Sequence, residues 1–303
     1  MAKNFKELLS KVSECSKKTL AVACAQDQAV LEAVKEANER GIASSILVGD
    51  EEKIREIAAS INMDLSDFKI INVVDTVEAS LAAVKLVHDG EADMYLKGLL
   101  DTKTFLKSVL DKEVGLRTDK TLSHVCVFEC EGIDRLLFLT DVAFLPHPTL
   151  EDKVAIINNT VEIAHACGIE CPKVAGMAAV EVVNPKMKET VEAFELSKMQ
   201  DEGKITGCIV DGPLSMDCAL YPHACEEKGC LDRKVPGNAD ILLFPDIQAG
   251  NLVYKTFVHL VPSKNGNILT GTKAPVILTS RADSCEVKVN SIALAAVVAE
   301  KLK

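Results

Sequence analysis

Short apolar segments alternate with helical patterns along most of this chain, and this alternation limits the possible folds more than any other feature. The segments TLAVACA, SSILVG and ADMYLKG are followed by helical patterns over residues 29–40, 51–60 and 102–110. Strands that alternate with helices in this way form parallel sheets with crossover helices. The sequence therefore predicts an α/β fold with mainly parallel sheets.

Two strand-like segments depart from the parallel pattern. HVCVFEC and RLLFLTD are separated only by residues 131–134, and Gly132 lies in the turn. A connection this short joins antiparallel strands. We therefore expect one hairpin within the otherwise parallel arrangement.

The segment FLPHPTLEDKVAIINNTVEIAHACG begins a second α/β series. Pro146 and Pro148 stiffen the chain, and Thr149 can cap a helix together with Asp152, three residues later. We place the entry to a second domain at this segment.

The second series continues with the strand-like segments KVAGMAAV, GCIVDG and ADILLFP. Helices are predicted over residues 185–201 and from Asn251. A last strand, APVILTS, precedes a helix that ends at Leu302. By pattern alone, this last strand and helix fit either domain.

Charge and hydrophobicity argue against two classes of partner. The formal net charge is -11, which disfavours nucleic acid because a phosphate backbone requires a basic surface. The apolar run over residues 292–299 is far shorter than the ~20 residues that cross a bilayer. Lys17 and Lys18 before TLAVACA imitate a secretion signal, but Glu7 and Glu14 favour a first buried strand there.

The cysteines indicate a reducing compartment. There are eleven, an odd number, and none forms a C-x-x-C pair, so we expect free thiols in the cytoplasm. No histidine lies at zinc-ligand spacing beside a cysteine pair. We expect core packing for the cysteines and no metal site.

Four junctions that follow strand-like segments carry polar residues. In open α/β sheets, ligands bind beyond the carboxyl ends of strands, near helix N-termini. The junctions are residues 97–102, 211–215, 246–251 and 280–284. Each has a simpler interpretation, because Asp211 fits a turn, Asn251 and Ser284 fit helix caps, and Lys97 fits a surface charge. Four junctions together favour a ligand site.

Familiar cofactor motifs are absent from the sequence. No G-x-G-x-x-G follows a strand, and GNILTGTK lacks the Gly directly before Lys that a P-loop requires. The six histidines show neither metal spacing nor a nucleophile motif. We therefore expect no cofactor.

Several segments, in the same order, resemble those of the phosphate acyltransferases, which exchange CoA for phosphate on an acyl group. They are TDVAFLPHPTLEDK, CIVDGPLSMDCAL, GNADILLFPDIQAGNLVYK and APVILTSRADS. The resemblance covers nearly the whole chain. YLKGLLDTKTFLK and SRADS are similar to the butyryltransferase branch more than to the acetyltransferase branch.

The resemblance implies a two-domain fold like that of isocitrate and isopropylmalate dehydrogenases, with CoA bound in the cleft between the domains. It also implies a homo-oligomer built on dimers. The last strand and helix would return to the first domain, which gives domains of residues 1–147 plus 266–303 and of residues 148–265.

The implied reaction converts butyryl-CoA and phosphate reversibly to butyryl phosphate and CoA, by direct transfer in a ternary complex. One alternative is transfer from acetyl-CoA, another acyl-CoA or an acyl carrier. A second is a non-catalytic acyl-CoA sensor, which we disfavour because the chain starts and ends with the domain itself. A covalent acyl-Ser280 route is disfavoured because no His is placed by sequence to activate that hydroxyl.

The family's Ser-Arg pair matches Ser280 and Arg281, the proposed catalytic residues together with Asp283. Arg281 suits a phosphate clamp because its planar fork binds two oxygens, although a structural salt bridge is the other interpretation. Ser280 can donate to the carbonyl oxygen or to the leaving sulfur.

Asp283 is the candidate general base. The acetyltransferase branch has an aspartate six positions after the Arg, where this chain has Val287. A thiol pKa near ~8.5 and an Asp pKa near ~3.9 differ by ~4.6 units, so the carboxylate must be desolvated or the thiolate stabilised by Arg281. A cap on the closing helix is the alternative role for Asp283.

The same resemblance implies residues that bind CoA or phosphate. Those of the second domain are Asp211, Ser215, Asp246, Gln248, Gly250 and Asn251. Lys97 and Thr102 would face them from the first domain, with Lys97 supplying local positive charge. Gly250 would let the backbone approach the ligand, and Asn251 would begin a helix over residues 252–260 whose N-terminus holds an anion.

Overall fold

The chain forms strands and helices in alternation through most of its length. This computed structural model describes residues 2–280 and 283–302. The strands are β1 Lys18–Ala23, β2 Ala43–Gly49, β3 Lys69–Asn72, β4 Met94–Lys97, β5 Ser123–Cys130, β6 Leu137–Thr140, β7 Lys173–Met177, β8 Ile209–Leu214, β9 Ile241–Leu243, β10 Ser263–Thr270 and β11 Val276–Ile277. The helices are α1 Phe5–Val12, α2 Gln28–Glu39, α3 Glu51–Ser60, α4 Thr76–His88, α5 Thr102–Val109, α6 Leu150–Ala166, α7 Lys188–Asp201, α8 Met216–Leu220, α9 Pro222–Glu227, α10 Ile247–Leu260 and α11 Cys285–Lys301.

Contacts between Cα atoms divide the described residues into two compact units. The N-terminal unit comprises Phe5–Lys120 with Asn265–Lys303, and the central unit comprises residues 2–4 with Thr121–Lys264. Residues 121–147, expected in the first domain, group with the central unit by their contacts, because β6 pairs with β9. The functional division into domains stays a prediction.

The N-terminal unit contains a mainly parallel sheet. Its strands follow the order β3-β2-β1-β4-β11-β10; β10 and β11 pair antiparallel, and the other neighbours pair in parallel. The aspartates that cap the helices after β1, β2, β3 and β4 each accept a backbone N–H with their side chain: Asp27, Asp50, Asp75 and Asp101. An Asp cap satisfies an N–H that the first helical turn leaves without a partner. Each of these helices therefore begins directly after its capping aspartate.

The closing helix α11 packs against α1 and α2. Most of its side chains are buried, from Lys288 through Ala299. Because β11 pairs in parallel with β4, the start of α11 follows a strand end at the same sheet edge as Lys97.

The central unit contains five strands, which follow the order β5-β6-β9-β7-β8 and pair mainly in parallel. The expected hairpin is confirmed, since β5 and β6 pair antiparallel with Cys126 opposite Leu139. The expected capping box is confirmed too, because Thr149 and Asp152 exchange hydrogen bonds at the start of α6. The α/β fold predicted from the sequence is therefore present.

The helix α10 begins earlier than the sequence predicted. It starts at Ile247, not near Asn251, because the Asp246 carboxylate accepts the Ala249 N–H at 2.9 Å. Edge-to-face contacts between Phe128 of β5 and both Tyr254 and Phe257 hold α10 on the sheet. Asn251 therefore lies within the helix.

The structure also bears on the P-loop-like motif and on membrane-spanning helices. Residues Gly266–Thr270 of the loop-like motif GNILTGTK lie within β10, which excludes the phosphate-binding geometry of a P-loop. Among the described residues, no helix combines the length and hydrophobicity needed to cross a membrane.

Candidate functional site

The junction after β4 places Lys97 at a buried strand end. Lys97 is 5% exposed, so it is not the surface charge that the simpler interpretation assumed. Its Nζ lies 3.5 Å from the Gly98 carbonyl oxygen. Thr102, the first residue of α5, is exposed.

Gly98 is required for the approach of this junction to β1. A Cβ atom there would lie 2.3 Å from the Cys24 carbonyl oxygen and 2.4 Å from that of Ala23. Burial, with a smaller contribution from Asp75, raises the pKa of the neighbouring Cys24 thiol to about 11, although Lys97 opposes both effects. The thiol is therefore neutral near pH 7.

Ser280 and Asp283 form a closed loop before α11. The Asp283 Oδ2 accepts the Ser280 N–H at 2.7 Å, and the Asp283 N–H donates to the Ser280 carbonyl oxygen at 3.1 Å. Lys288 donates to the Asp283 carbonyl oxygen at 2.5 Å. The structure thus brings two of the three predicted catalytic residues together, whereas Arg281 lies outside the described residues.

The cap of α11 is Ser284, whose hydroxyl accepts the Val287 N–H at 3.3 Å. The alternative role of Asp283 as the helix cap is therefore wrong. Its carboxylate lies at the Ser280 backbone instead, half-buried.

The sheet register relates this loop to Lys97. Val276 pairs with Tyr95 and Ile277 with Leu96, in parallel. Lys97 and Ser280 therefore both follow the carboxyl ends of adjacent strands, the usual position of ligand sites in α/β sheets.

In the central unit, the first turn of α10 is held against the loop after β6. The Asn251 Nδ2 donates to the Val142 carbonyl oxygen at 3.0 Å. A Cβ atom on Gly250 would lie 2.4 Å from the Asp141 carbonyl oxygen, so only glycine permits this approach. Gln248 points to solvent in the same turn.

The buried Asp211 carboxylate forms an ion pair with the half-buried Arg233. The Arg233 guanidinium contacts its Oδ1 at 2.7 Å and its Oδ2 at 3.2 Å. The backbone N–H groups of Gly212 and Val235 also donate to the carboxylate. The Asp211 oxygens thus already accept several hydrogen bonds, and Arg233 is a residue that the sequence analysis missed.

Ser215 belongs to a charged cluster with Glu181, Asp217 and Lys228. Its hydroxyl lies within hydrogen-bond distance of the Glu181 carboxylate and 2.5 Å from the Asp217 Oδ1, while Lys228 donates to it at 3.1 Å. Ser215 and then Lys228 lower the pKa of Asp217 to about 2. Burial favours a higher pKa for Glu181, but hydrogen bonds from Ser215 and Lys228 reverse that effect and lower it. All three charged groups are ionised near pH 7.

The structure therefore separates the predicted residues into three types. Lys97, Ser280 and Asp283 share one sheet edge of the N-terminal unit. Asp246, Gly250 and Asn251 shape the first turn of α10 in the central unit. Asp211 pairs with Arg233, and Ser215 forms hydrogen bonds with Glu181 and Lys228; these partners are distant in sequence, and no local motif identifies them.

Comparison with known proteins places the chain in a family. The family model described as "Phosphate acetyl/butaryl transferase" matches residues 4–78 and 73–296. This chain belongs to the phosphate acetyl/butyryl transferase family.

Individual relatives agree with this assignment over their whole length. The chain is 58% identical to a phosphate butyryltransferase of Clostridium beijerinckii over 303 residues, which is 100% of both chains. It is 44% identical to a phosphate acetyltransferase of Thermotoga maritima, over 97% of this chain and 100% of that one. The crystal structure of a branched-chain phosphotransacylase from Enterococcus faecalis V583 is similar with a TM-score of 0.82 and 32% identity, and the match covers 93% of this chain and 99% of that one.

Proposed function

We propose that this protein is a phosphate butyryltransferase, which converts butyryl-CoA and inorganic phosphate reversibly to butyryl phosphate and CoA. The observation that carries the proposal is the 58% identity, over both entire chains, to the butyryltransferase of Clostridium beijerinckii. Identity to the Thermotoga maritima acetyltransferase is lower, at 44%. Phosphate acetyltransferase activity is therefore the second candidate.

The reaction is a single acyl transfer in our proposal. A phosphate oxygen attacks the thioester carbonyl carbon, and the carbonyl oxygen becomes negatively charged. The C–S bond then breaks, and the thiolate receives the proton that the attacking phosphate hydroxyl gives up. This sequence requires a phosphate clamp, a donor to the developing oxyanion and a proton acceptor.

The residues at the carboxyl edge of β4 and β11 support these three roles. Ser280 is exposed beside Asp283, so its hydroxyl can donate to the oxyanion or to the sulfur. Asp283 is the proposed base that relays the proton, and Arg281, by family resemblance, is the proposed clamp. Lys97 and the N-terminus of α11 add positive potential for the phosphate.

The central unit supplies the other proposed contacts. The first turn of α10 presents backbone N–H groups after β9, where an anionic part of CoA or phosphate is favourable. Asp246, Gln248, Gly250 and Asn251 keep their predicted roles in substrate binding, as does Thr102 of the N-terminal unit. For Asp211 and Ser215 the proposed role is to shape the loop, because their polar atoms are already engaged.

We also propose a cytoplasmic homo-oligomer built on dimers. All eleven cysteines are free thiols, which supports a reducing compartment. The oligomer is proposed from the family resemblance.

The test follows release of free CoA from acetyl-CoA and butyryl-CoA, with and without phosphate. We expect release that requires phosphate and is faster with butyryl-CoA. Release that continues without phosphate would show hydrolysis and reject the proposal.

Two variants test the assigned roles. Asp283→Asn should lower kcat about 100-fold, the usual contribution of a general base, with little change in the phosphate KM. Arg281→Ala should raise the phosphate KM as well as lower kcat. The control is Asp119→Asn at an exposed position of the same unit, and equal activity of Asp283→Asn and this control would reject Asp283 as the base.

A further inference from the structure

A cavity of about 390 Å³ lies beside the first turn of α10 in the central unit. Its lining includes Met177, Met216 and Phe244. Met177 ends β7, Met216 follows β8 after one residue, and Phe244 follows β9 directly. The cavity therefore lies at the carboxyl ends of three neighbouring parallel strands, where α/β sheets bind their ligands.

The lining is suited to an uncharged hydrocarbon. Besides the residues already named, it includes Met187, Val253 and three alanines. Among the described lining residues, the charged side chains are Glu189 and Asp246, both acidic. The Asp246 carboxylate is engaged by the Ala249 N–H. Acidic side chains repel the phosphates of CoA, whereas methionine and alanine surfaces favour an aliphatic chain.

We propose that this cavity binds the hydrocarbon chain of the acyl group and determines which chain lengths react. The proposal rests on the proposed function and assigns part of its substrate. A butyryl chain has four carbons and fills only a part of the cavity. Flexible methionines adapt their shape to different ligands, so short branched chains and five-carbon chains also fit.

The expected selectivity follows from the buried methylenes. Butyryl has two methylenes more than acetyl, and each buried methylene contributes ~0.8 kcal/mol. Because 1.36 kcal/mol corresponds to a factor of ten, kcat/KM for butyryl-CoA should exceed that for acetyl-CoA about 15-fold.

Two variants change the cavity in opposite directions. Ala178→Leu fills it, so the butyryl to acetyl ratio of kcat/KM should fall from about 15-fold towards 1. Met187→Ala enlarges it, so the hexanoyl to butyryl ratio should rise about tenfold, the usual effect of a methylene or more of added room. The matched controls are Ala59→Leu, at an exposed residue of α3, and Met199→Ala on α7. Neither residue lines the cavity.

The pantetheine arm of CoA is the competing occupant of an apolar cavity. That arm is common to all the thioesters, so its displacement by Ala178→Leu would lower kcat/KM for acetyl-CoA and butyryl-CoA by the same factor. A butyryl to acetyl ratio that stays unchanged in Ala178→Leu, whether both kcat/KM values fall equally or neither falls, would overturn the proposal.

A second measurement reads binding without turnover. The chain has seven methionines, and ¹³C-methyl labelling gives each an NMR signal, with Met187→Ala identifying one of them. Butyryl-CoA should shift the signals of Met177, Met187 and Met216 more than free CoA does, and leave those of Met63 and Met94 unchanged. Methyl shifts in a protein without phosphate-dependent turnover would reject the proposed function but keep the cavity assignment. Turnover with butyryl-specific shifts absent from all three signals would reject the cavity assignment alone.

Discussion

Replacing Gly250 by alanine should destabilise the protein, although alanine is the better helix former. Gly250 lies inside α10, and at an ordinary helical position this change stabilises by ~1 kcal/mol. Here the new Cβ would lie 2.4 Å from the Asp141 carbonyl oxygen and 3.2 Å from the Val142 Cα. The first turn of α10 must therefore move away from the loop after β6.

The loop cannot easily yield to the added methyl. The Asp141 carboxylate accepts backbone N–H groups from Ala143, Phe144 and Leu145 at 3.0, 3.1 and 2.9 Å. Overpacking in a rigid surrounding costs ~1–3 kcal/mol, and we take the upper value because the opposing atoms are backbone. After subtraction of the helix-propensity gain, the net loss is ~2 kcal/mol.

Urea unfolding followed by far-UV circular dichroism measures this loss. The control is Gln248→Ala, an exposed position in the same helical turn, which should stay within ~0.5 kcal/mol of the wild type. Displacement of the α10 N-terminus should also lower kcat/KM, because a shift of ~1 Å at a substrate-positioning element costs up to ~100-fold. A Gly250→Ala protein as stable as Gln248→Ala would refute the contact argument.

Three further predictions concern charges and thiols. Arg233→Met should destabilise the protein by ~3–5 kcal/mol because it leaves the Asp211 carboxylate buried without its ion pair. The control Lys188→Met removes a surface pair with Glu192 and should cost under ~1 kcal/mol in the same urea assay. Equal losses of stability in the two variants would contradict this assignment. Hydrogen bonds from Lys18 and Ser16 lower the pKa of Glu300 from 4.5 to about 2. Since the pKa of Glu300 is lower in the folded state than in the unfolded state, this stabilisation is present above pH 4.5 and is lost as the pH falls towards 2. The difference in unfolding free energy between wild type and Glu300→Gln should therefore shrink over that interval. A constant difference would disprove the linkage. Cys171 is exposed, whereas burial raises the pKa of other thiols to about 11, namely those of Cys24, Cys130 and Cys208. A disulfide reagent at pH 8 should therefore react first with Cys171. A rapid reaction phase that persists in Cys171→Ser would show that another thiol is accessible.

The sequence determined the type of most elements because their signals are local. Alternating apolar runs and helical patterns predicted the parallel strands and their crossover helices, and Thr149 with Asp152 predicted the start of α6. The ends of the strand-like segments also located the polar junctions. Elements that the sequence analysis missed are α1, β3, α4, α8, α9 and β10. The strand β3, for example, is a four-residue segment with no fully buried side chain.

Only the tertiary structure decided what the polar residues of those junctions contact. Arg233 reaches Asp211 from 22 residues away, and the Asp141 backbone that restricts residue 250 to glycine lies on another element. Such contacts depend on strand order and helix packing, which bring together residues that no sequence spacing relates. The sequence thus determined the family and the strand ends where chemistry can occur, whereas long-range packing decided that Lys97 is buried and that Asp211 is ion-paired.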